Sequence, residues 1–209
     1  MFDWFKREPT AIIPATTSRW VVLDLETSGL DPKRDRIVEL GGIALHDGAV
    51  DLADYFQRVS AEGSGITHEN RVLHGVTASE QREGSPLARA LDELLAWMRD
   101  APLVGFHTRF DIGFLRPALA ANIDARTAQA FATHFLDLAV IAPGVFPQIK
   151  ARGLGEWTAA LKLPVRRQHR ALADALATAH LLQRIMAALP AAERSFDALK
   201  AREADRRWL

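Results

Sequence analysis

The stretch WVVLDLETSGLDP, Trp20–Pro32, decides how this chain reads. Val21, Val22, Leu23 and Leu25 favour a strand, and Gly29 and Pro32 punctuate its end. Side chains two apart in a strand share a face. Asp24 and Glu26 therefore lie side by side, with Leu23 and Leu25 on the opposite face. Two like charges at that spacing repel, and each loses hydration on burial. Either the strand end lets both carboxylates reach water, or a cation lies between them.

Working outward from this first strand (Trp20–Leu25), Ile37–Leu45 and Val50–Val59 read as the next two strands. The Asp47-Gly48 pair predicts an antiparallel hairpin between them. Ser60–Gly84 reads mostly as loop and carries His74-Gly75-Val76-Thr77. Leu87, Leu91, Leu94, Leu95 and Met98 recur at helical spacing and predict an amphipathic helix over Pro86–Arg99. Pro102–Phe106 reads as a short buried strand, followed by a helix from about Phe110 that bends at Pro117. A strand is expected around Phe131–Leu138, then helices over Leu154–Leu161 and Ala171–Leu189. Three strands in hairpin succession, then strands alternating with helices, imply an α/β fold with a mixed sheet covered by helices. In such sheets ligands gather at the carboxyl ends of parallel strands, where Asp24 and Glu26 lie. Residues 1–17 read as an irregular leader, 18–189 as the main domain and 190–209 as a charged C-terminal helix with Ser195 as its cap.

The 209 residues fit one domain with some extra at the ends. No apolar run approaches the roughly 20 residues of a membrane span. The opening MFDWFKREPT lacks the ordered segments of a signal peptide. There is no cysteine, which excludes disulfides, thiolate metal sites and a cysteine nucleophile, and fits a cytoplasmic setting. Any metal would be held by oxygen or imidazole. The 26 basic and 26 acidic residues balance, so no global basic field points to nucleic acid. Local clusters remain at Lys33, Arg34 and Arg36, and at Arg166, Arg167 and Arg170 around His169; their simplest reading is a solvated face.

Two further carboxylates stand out. VGFHTRFDIGFL places Asp111 at a helix start just after a strand, where the helix dipole favours it. RRQHRALADALATAHLL places Asp174 within an apolar helical run, where a buried carboxylate needs a partner. His169 precedes Asp174 by five residues, about 500° of helical rotation, so it belongs in the loop before that helix.

The segments D-x-E-T-S-G-L, F-D-I-G-F-L and H-R-A-L-A-D, in this order over roughly residues 18–187, resemble the DEDDh family of 3′–5′ exonucleases. That family includes the proofreading (epsilon) subunit of bacterial DNA polymerase III, ribonuclease T and oligoribonuclease. His74-Gly75-Val76-Thr77 is similar to the family's H-G-I-T segment. The resemblance implies a ribonuclease H-like fold, with a five-stranded mixed sheet of order 3-2-1-4-5 and helices on both faces. It implies that Asp24, Glu26, Asp111 and Asp174 bind two Mg²⁺ or Mn²⁺ ions, and that His169 is the general base. Thr27 and Gly29 would let backbone approach the terminal nucleotide, and Leu30 and His74 would line its pocket. His107 stands where many relatives carry asparagine and Phe106 where they carry histidine, which alters the grip on substrate. Phe110 is expected in the core. Asp137 ends the fifth strand, either supporting the site or meeting water. The sister subfamily's tyrosine base has no counterpart, because the only tyrosine, Tyr55, falls in the third strand.

The implied activity releases nucleoside 5′-monophosphates from single-stranded 3′ ends, with DNA favoured over RNA. Proofreading relatives bind a polymerase and ribonuclease T-like relatives dimerise, so either a polymerase subunit or a second copy is the implied partner, with no membrane involved. Three alternatives remain at this point: RNA trimming, a catalytically silent nucleic-acid-binding subunit, and a phosphodiesterase for small nucleotides.

Overall fold

In the computed structural model, residues 19–61, 75–164 and 169–206 are described. The leader, His74, Arg166 and Arg167 lie outside them. The sheet is built from β1 (Arg19–Thr27), β2 (Ile37–His46), β3 (Ala49–Val59), β4 (Leu103–Gly105) and β5 (Phe135–Asp137). Its order is β3-β2-β1-β4-β5, as the resemblance implied. β1 and β2, and β2 and β3, run antiparallel; β1 and β4, and β4 and β5, run parallel. Asp47 (φ 49°) and Gly48 (φ 77°) make the two-residue turn of the β2–β3 hairpin, both in the left-handed region such a turn requires.

Alternation along β1 separates two cores. Trp20 and Val22 pack with Ile43, Leu45, Val104 and Leu136 on one face; Val21, Leu23 and Leu25 pack with Leu40, Leu91 and Leu115 on the other. The second face is covered by α2 (Leu87–Met98), α3 (Thr108–Asn122) and α4 (Ala125–Ala130). The first is covered by α5 (Leu138–Val145), α6 (Leu154–Ala160), α7 (Ala171–Ala188) and α8 (Phe196–Arg206). Each fully buried leucine here contributes roughly 1.5–3 kcal/mol. Asp24 and Glu26 continue the Trp20–Val22 parity, so both point toward α7.

Close approach of α7 to the sheet depends on Gly41. A Cβ there would lie 2.1 Å from the Leu172 nitrogen and 2.2 Å from the Ala171 carbonyl carbon. Gly41 pairs with Asp24 across β1 and β2, so the first turn of α7 is pressed onto the sheet beside that carboxylate.

The structure departs from the sequence expectation in three places. The 60–84 stretch contains a short helix, α1 (Ala78–Arg82). Thr77 Oγ1 accepts from Glu80 N at 3.2 Å, and Glu80 Oε2 accepts from Thr77 N at 2.7 Å, a reciprocal cap. The expected strand Phe131–Leu138 shrinks to Phe135–Asp137, because Phe131 ends α4 and Asp137 caps α5. Finally, α3 starts at Thr108 rather than Phe110, since His107 turns the chain in the left-handed region (φ 58°). The tail helix follows the expectation, with Ala198 N donating to Ser195 Oγ at 3.2 Å. It is docked by buried Leu199 and by Lys200, whose ammonium donates to the Phe135 carbonyl of β5. No described helix is long and apolar enough to cross a membrane.

Candidate active site

Carboxylates converge at the carboxyl ends of the parallel strands. β1 supplies Asp24 and Glu26, and the first turn of α7 supplies Asp174. One carboxylate oxygen from each lies within 4.8 Å of the others. Asp111 comes from the first turn of α3, and its Oδ1 accepts from Leu25 N at 3.2 Å. All four border one cavity of about 720 Å³, together with His169 and Asp137.

The charges are in conflict. Burial holds the Asp24 carboxyl well above the usual carboxylate range, and Asp111, Asp174, Glu26 and Glu39 push it further. Burial also raises Asp111, against the N–H groups of Leu25 and of Asp111 itself, with Asp137 and Glu26 adding repulsion. Asp174 is pushed up to about 6, by burial first and then by Glu26 and Glu39, although the His169 N–H and the His169 ring oppose the shift. Asp137 is raised by burial, less so because Ala139 N and His107 N donate to its Oδ1. A divalent cation would relieve both the repulsion and the lost hydration, and an all-oxygen donor set suits a hard one. The residues therefore fit a divalent metal.

His169 lies in the turn before α7, where its sequence distance from Asp174 placed it. Its φ of 66° is in the left-handed region, which histidine tolerates better than most residues. A 2.9 Å bond from its backbone N–H to Asp174 Oδ2 holds it there, and its side chain is left exposed at the cavity.

The other predicted contacts divide. Leu30 lines the cavity while 83% exposed, and His107 lines it too. Thr27 and Gly29 do not border the cavity: Thr27 Oγ1 donates to the Gly29 carbonyl at 2.6 Å, and Gly29 abuts Asp35. Together they shape the turn that presents Leu30. His107 donates its backbone N–H to Asp137 Oδ1 at 2.9 Å, and its ring meets Phe106 edge-on at 4.8 Å. Phe110 packs on Phe114 at 5.0 Å, as a core residue should, yet also borders the cavity.

One supporting network was not anticipated. Glu39, fully buried in β2, pairs with Glu26 across the strands. Arg170 Nε and Nη2 donate to Glu39 at 3.0 and 2.9 Å, Ala171 N donates at 3.2 Å, and Gln57 Nε2 at 2.6 Å. Arg170 Nη1 also reaches Glu80 of α1 at 3.2 Å. The start of α7, which carries Asp174, is thereby tied to β2 and α1. The one available signal was a lone glutamate in the apolar run IVELGGIAL.

Residues 21–182 match the family model described as exonuclease, RNase_T. Among similar proteins is the PolC-type DNA polymerase III of Halalkalibacterium halodurans, 29% identical over 177 residues, covering 84% of this chain and 12% of that protein. The PolC-type DNA polymerase III of Streptococcus mutans is 26% identical over 163 residues, covering 78% of this chain and 11% of that protein. The chain thus spans about a tenth of the length of these relatives. The structure of Escherichia coli exonuclease I in complex with a dT13 oligonucleotide superposes with a TM-score of 0.69 at 18% identity, covering 81% of this chain and 41% of that one, which is a likeness of fold. The family match and the acidic cluster together indicate dependence on a divalent metal. With the family model spanning most of the chain and the ribonuclease H-like sheet in place, the chain belongs to the exonuclease family as a DEDDh-type 3′–5′ exonuclease domain, resembling the proofreading subunit of bacterial DNA polymerase III.

Proposed function

We propose that this domain removes nucleotides singly from the 3′ end of single-stranded DNA by hydrolysis. Asp24, Glu26, Asp111 and Asp174 would hold two Mg²⁺ or Mn²⁺ ions, which when bound supply a polarised water and neutralise charge developing on the phosphoryl group. The observation that carries this reading is the mutually close set Asp24, Glu26 and Asp174, with Asp24 and Asp174 destabilised as anions, sharing a cavity with exposed His169.

The His169 imidazole takes the proton of the attacking water, the general-base role that histidine fills most often. The water oxygen forms the new bond to phosphorus, and the bond from phosphorus to the 3′-oxygen of the penultimate nucleotide breaks. That oxygen takes up a proton, leaving a nucleoside 5′-monophosphate and a shortened strand. Asp174 fixes the His169 backbone, and Leu30, His107 and Phe110 contact the terminal nucleotide. The likeness to PolC-type polymerases, and the DNA bound in exonuclease I, support DNA over RNA. The same likeness supports a polymerase as partner.

The test is time-resolved digestion of 5′-labelled DNA and RNA oligomers of equal sequence with Mg²⁺ or Mn²⁺, alongside Asp24→Ala, His169→Asn and EDTA controls. Asparagine tolerates the left-handed backbone at position 169, so loss of activity there reports chemistry rather than misfolding. A ladder shortening from the 3′ end, faster on DNA and abolished by all three controls, is the expected result. Faster shortening of RNA would reassign the substrate, and no cleavage of either polymer by folded protein would overturn the proposal.

A further inference from the structure

The cavity that receives the 3′ end is a poor place to hold a polyanion. Asp24, Glu26, Asp111, Asp137 and Asp174 line it, and among its described lining residues Arg109 is the only lysine or arginine. Among the described residues, further cations for a bound strand lie outside this cavity, and the chain has no net charge to spread over its surface.

A second hollow of about 450 Å³ differs in kind. Lys150, Arg152 and Arg206 contribute its charge, Pro143, Pro147 and Ile149 its apolar floor, and no carboxylate is among its described lining residues. It adjoins the catalytic cavity along the chain: Arg152 borders the hollow, and the next residue, Gly153, borders the cavity. Consecutive Cα atoms are about 3.8 Å apart, so a strand leaving the cavity at Gly153 meets these cations at once.

The three side chains make no close ion pair among the described residues, although the Arg152 charge attracts the Glu156 carboxylate from further off. Among the described residues, Lys150 Nζ has only the Pro147 carbonyl, at 3.3 Å. Arg152 and Arg206 make no ion pair among the described residues. The nearby Glu156 carboxylate is occupied by the backbone N–H groups of Arg152 and Gly153, at 2.6 and 3.4 Å. The contrast within α8 is direct: Lys200 pairs with Glu203 and Arg202 with Glu193, while Arg206 lies over Gly144. A Cβ at position 144 would come within 2.7 Å of Arg206 Cδ and 3.0 Å of its Nη1, so a bare backbone at 144 admits this arginine. Arginine forks match phosphate oxygens, and long basic stems pack on apolar floors with their charges in water.

We propose that Lys150, Arg152 and Arg206 form a second binding site, which holds the phosphodiester backbone of single-stranded DNA upstream of the 3′-terminal nucleotide. This rests on the cavity being a 3′-end exonuclease site, and it makes the enzyme one that grips polymers rather than small nucleotides.

The test compares the wild type with Lys150→Gln/Arg152→Gln/Arg206→Gln on two probes, a 5′-labelled dT12 and the p-nitrophenyl ester of thymidine 5′-monophosphate. On dT12 the variant should show KM raised about tenfold with kcat unchanged. The salt dependence of log KM should flatten by about two units, since each phosphate contact on a single strand contributes about 0.7. On the small ester the two proteins should match. Unchanged KM and salt slope on dT12 would overturn the site, and so would an equal loss on both probes. Fluorescence anisotropy of labelled dT12 reads the same site without turnover. If the wild type cleaves nothing but the variant still loses about tenfold in binding and the same salt slope, the catalytic reading fails and this one stands. Equal binding by both proteins overturns it.

Discussion

Asp54 and Asp24 are both carboxylates set against the sheet, and the protein treats them in opposite ways. Asp54, on β3, accepts from Arg19 Nε and Nη2 at 2.8 and 3.0 Å and from Trp97 Nε1 at 2.7 Å, with His46 Nε2 at 2.8 Å. Arg19 in particular holds its carboxyl far below the usual range. Asp24 faces Glu26, Asp111, Asp174 and Glu39, and its carboxyl is held far above that range. A carboxylate whose partners come from the chain is part of the fold. One whose neighbours repel it is reserved for a partner from outside.

Four substitutions or conditions sharpen that contrast. The largest effect is expected from Asp24→Asn, with nuclease activity falling on the order of 10³-fold, about 4 kcal/mol of barrier. The metal-free protein should at the same time melt higher than wild type, because the variant removes a repelled, desolvated charge. A fall in both activity and metal-free melting temperature would break the comparison. Arg170→Gln leaves Glu39 buried without its cation and should cost about 3 kcal/mol of stability by urea denaturation. Wild-type stability in that variant would show that Gln57 and the Ala171 N–H alone satisfy Glu39.

Asp54→Asn should cost about 2 kcal/mol, typical of hydrogen bonds to a charged group, with turnover of dT12 kept. Loss of turnover without loss of stability would place Asp54 in the chemistry. The smallest effect is in pH. The folded-state pKa of Asp174, about 6, lies above the unfolded value of about 3.9. Its stability contribution is therefore full below pH 4 and is lost as pH rises through 6. Metal-free melting temperatures should fall over that window by the equivalent of about 1 kcal/mol, after allowing for solvent at this half-buried group. Saturating Mg²⁺ or Mn²⁺ should flatten the curve, since binding selects the ionised form. A metal-free curve that rises through the same window would contradict the repulsion assigned here.

The hairpin, the β1 alternation and the long helices were legible because each follows from local period and turn chemistry. Three features were hidden. Leu138–Val145 contains Pro143 and Gly144, which argue against the helix that forms. The apolar run Phe131–Leu138 does not distinguish strand from helix by period. The helix Ala78–Arg82 has its signal in Thr77-Ala78-Ser79-Glu80, a capping box set in a stretch dominated by loop residues. Within the site, the order of the motifs picked out the carboxylates and His169 that meet at the cavity. It did not show that Thr27 and Gly29 turn away from it, nor that Arg170 reaches Glu39, 131 residues distant. Contacts of that kind belong to the tertiary fold and leave little local trace.

Gly41 carries a final consequence. The separation between Asp24 and Asp174 is set where α7 rests on a residue with no side chain. One hydrogen atom acts as the shim between α7, which carries Asp174, and β2, whose neighbour β1 carries Asp24. Adding a methyl group there would change no charge and remove no ligand, yet it would jack the wall outward and spread the carboxylates. A survey of charged residues would pass over this position, although the reach of the whole acidic set depends on it.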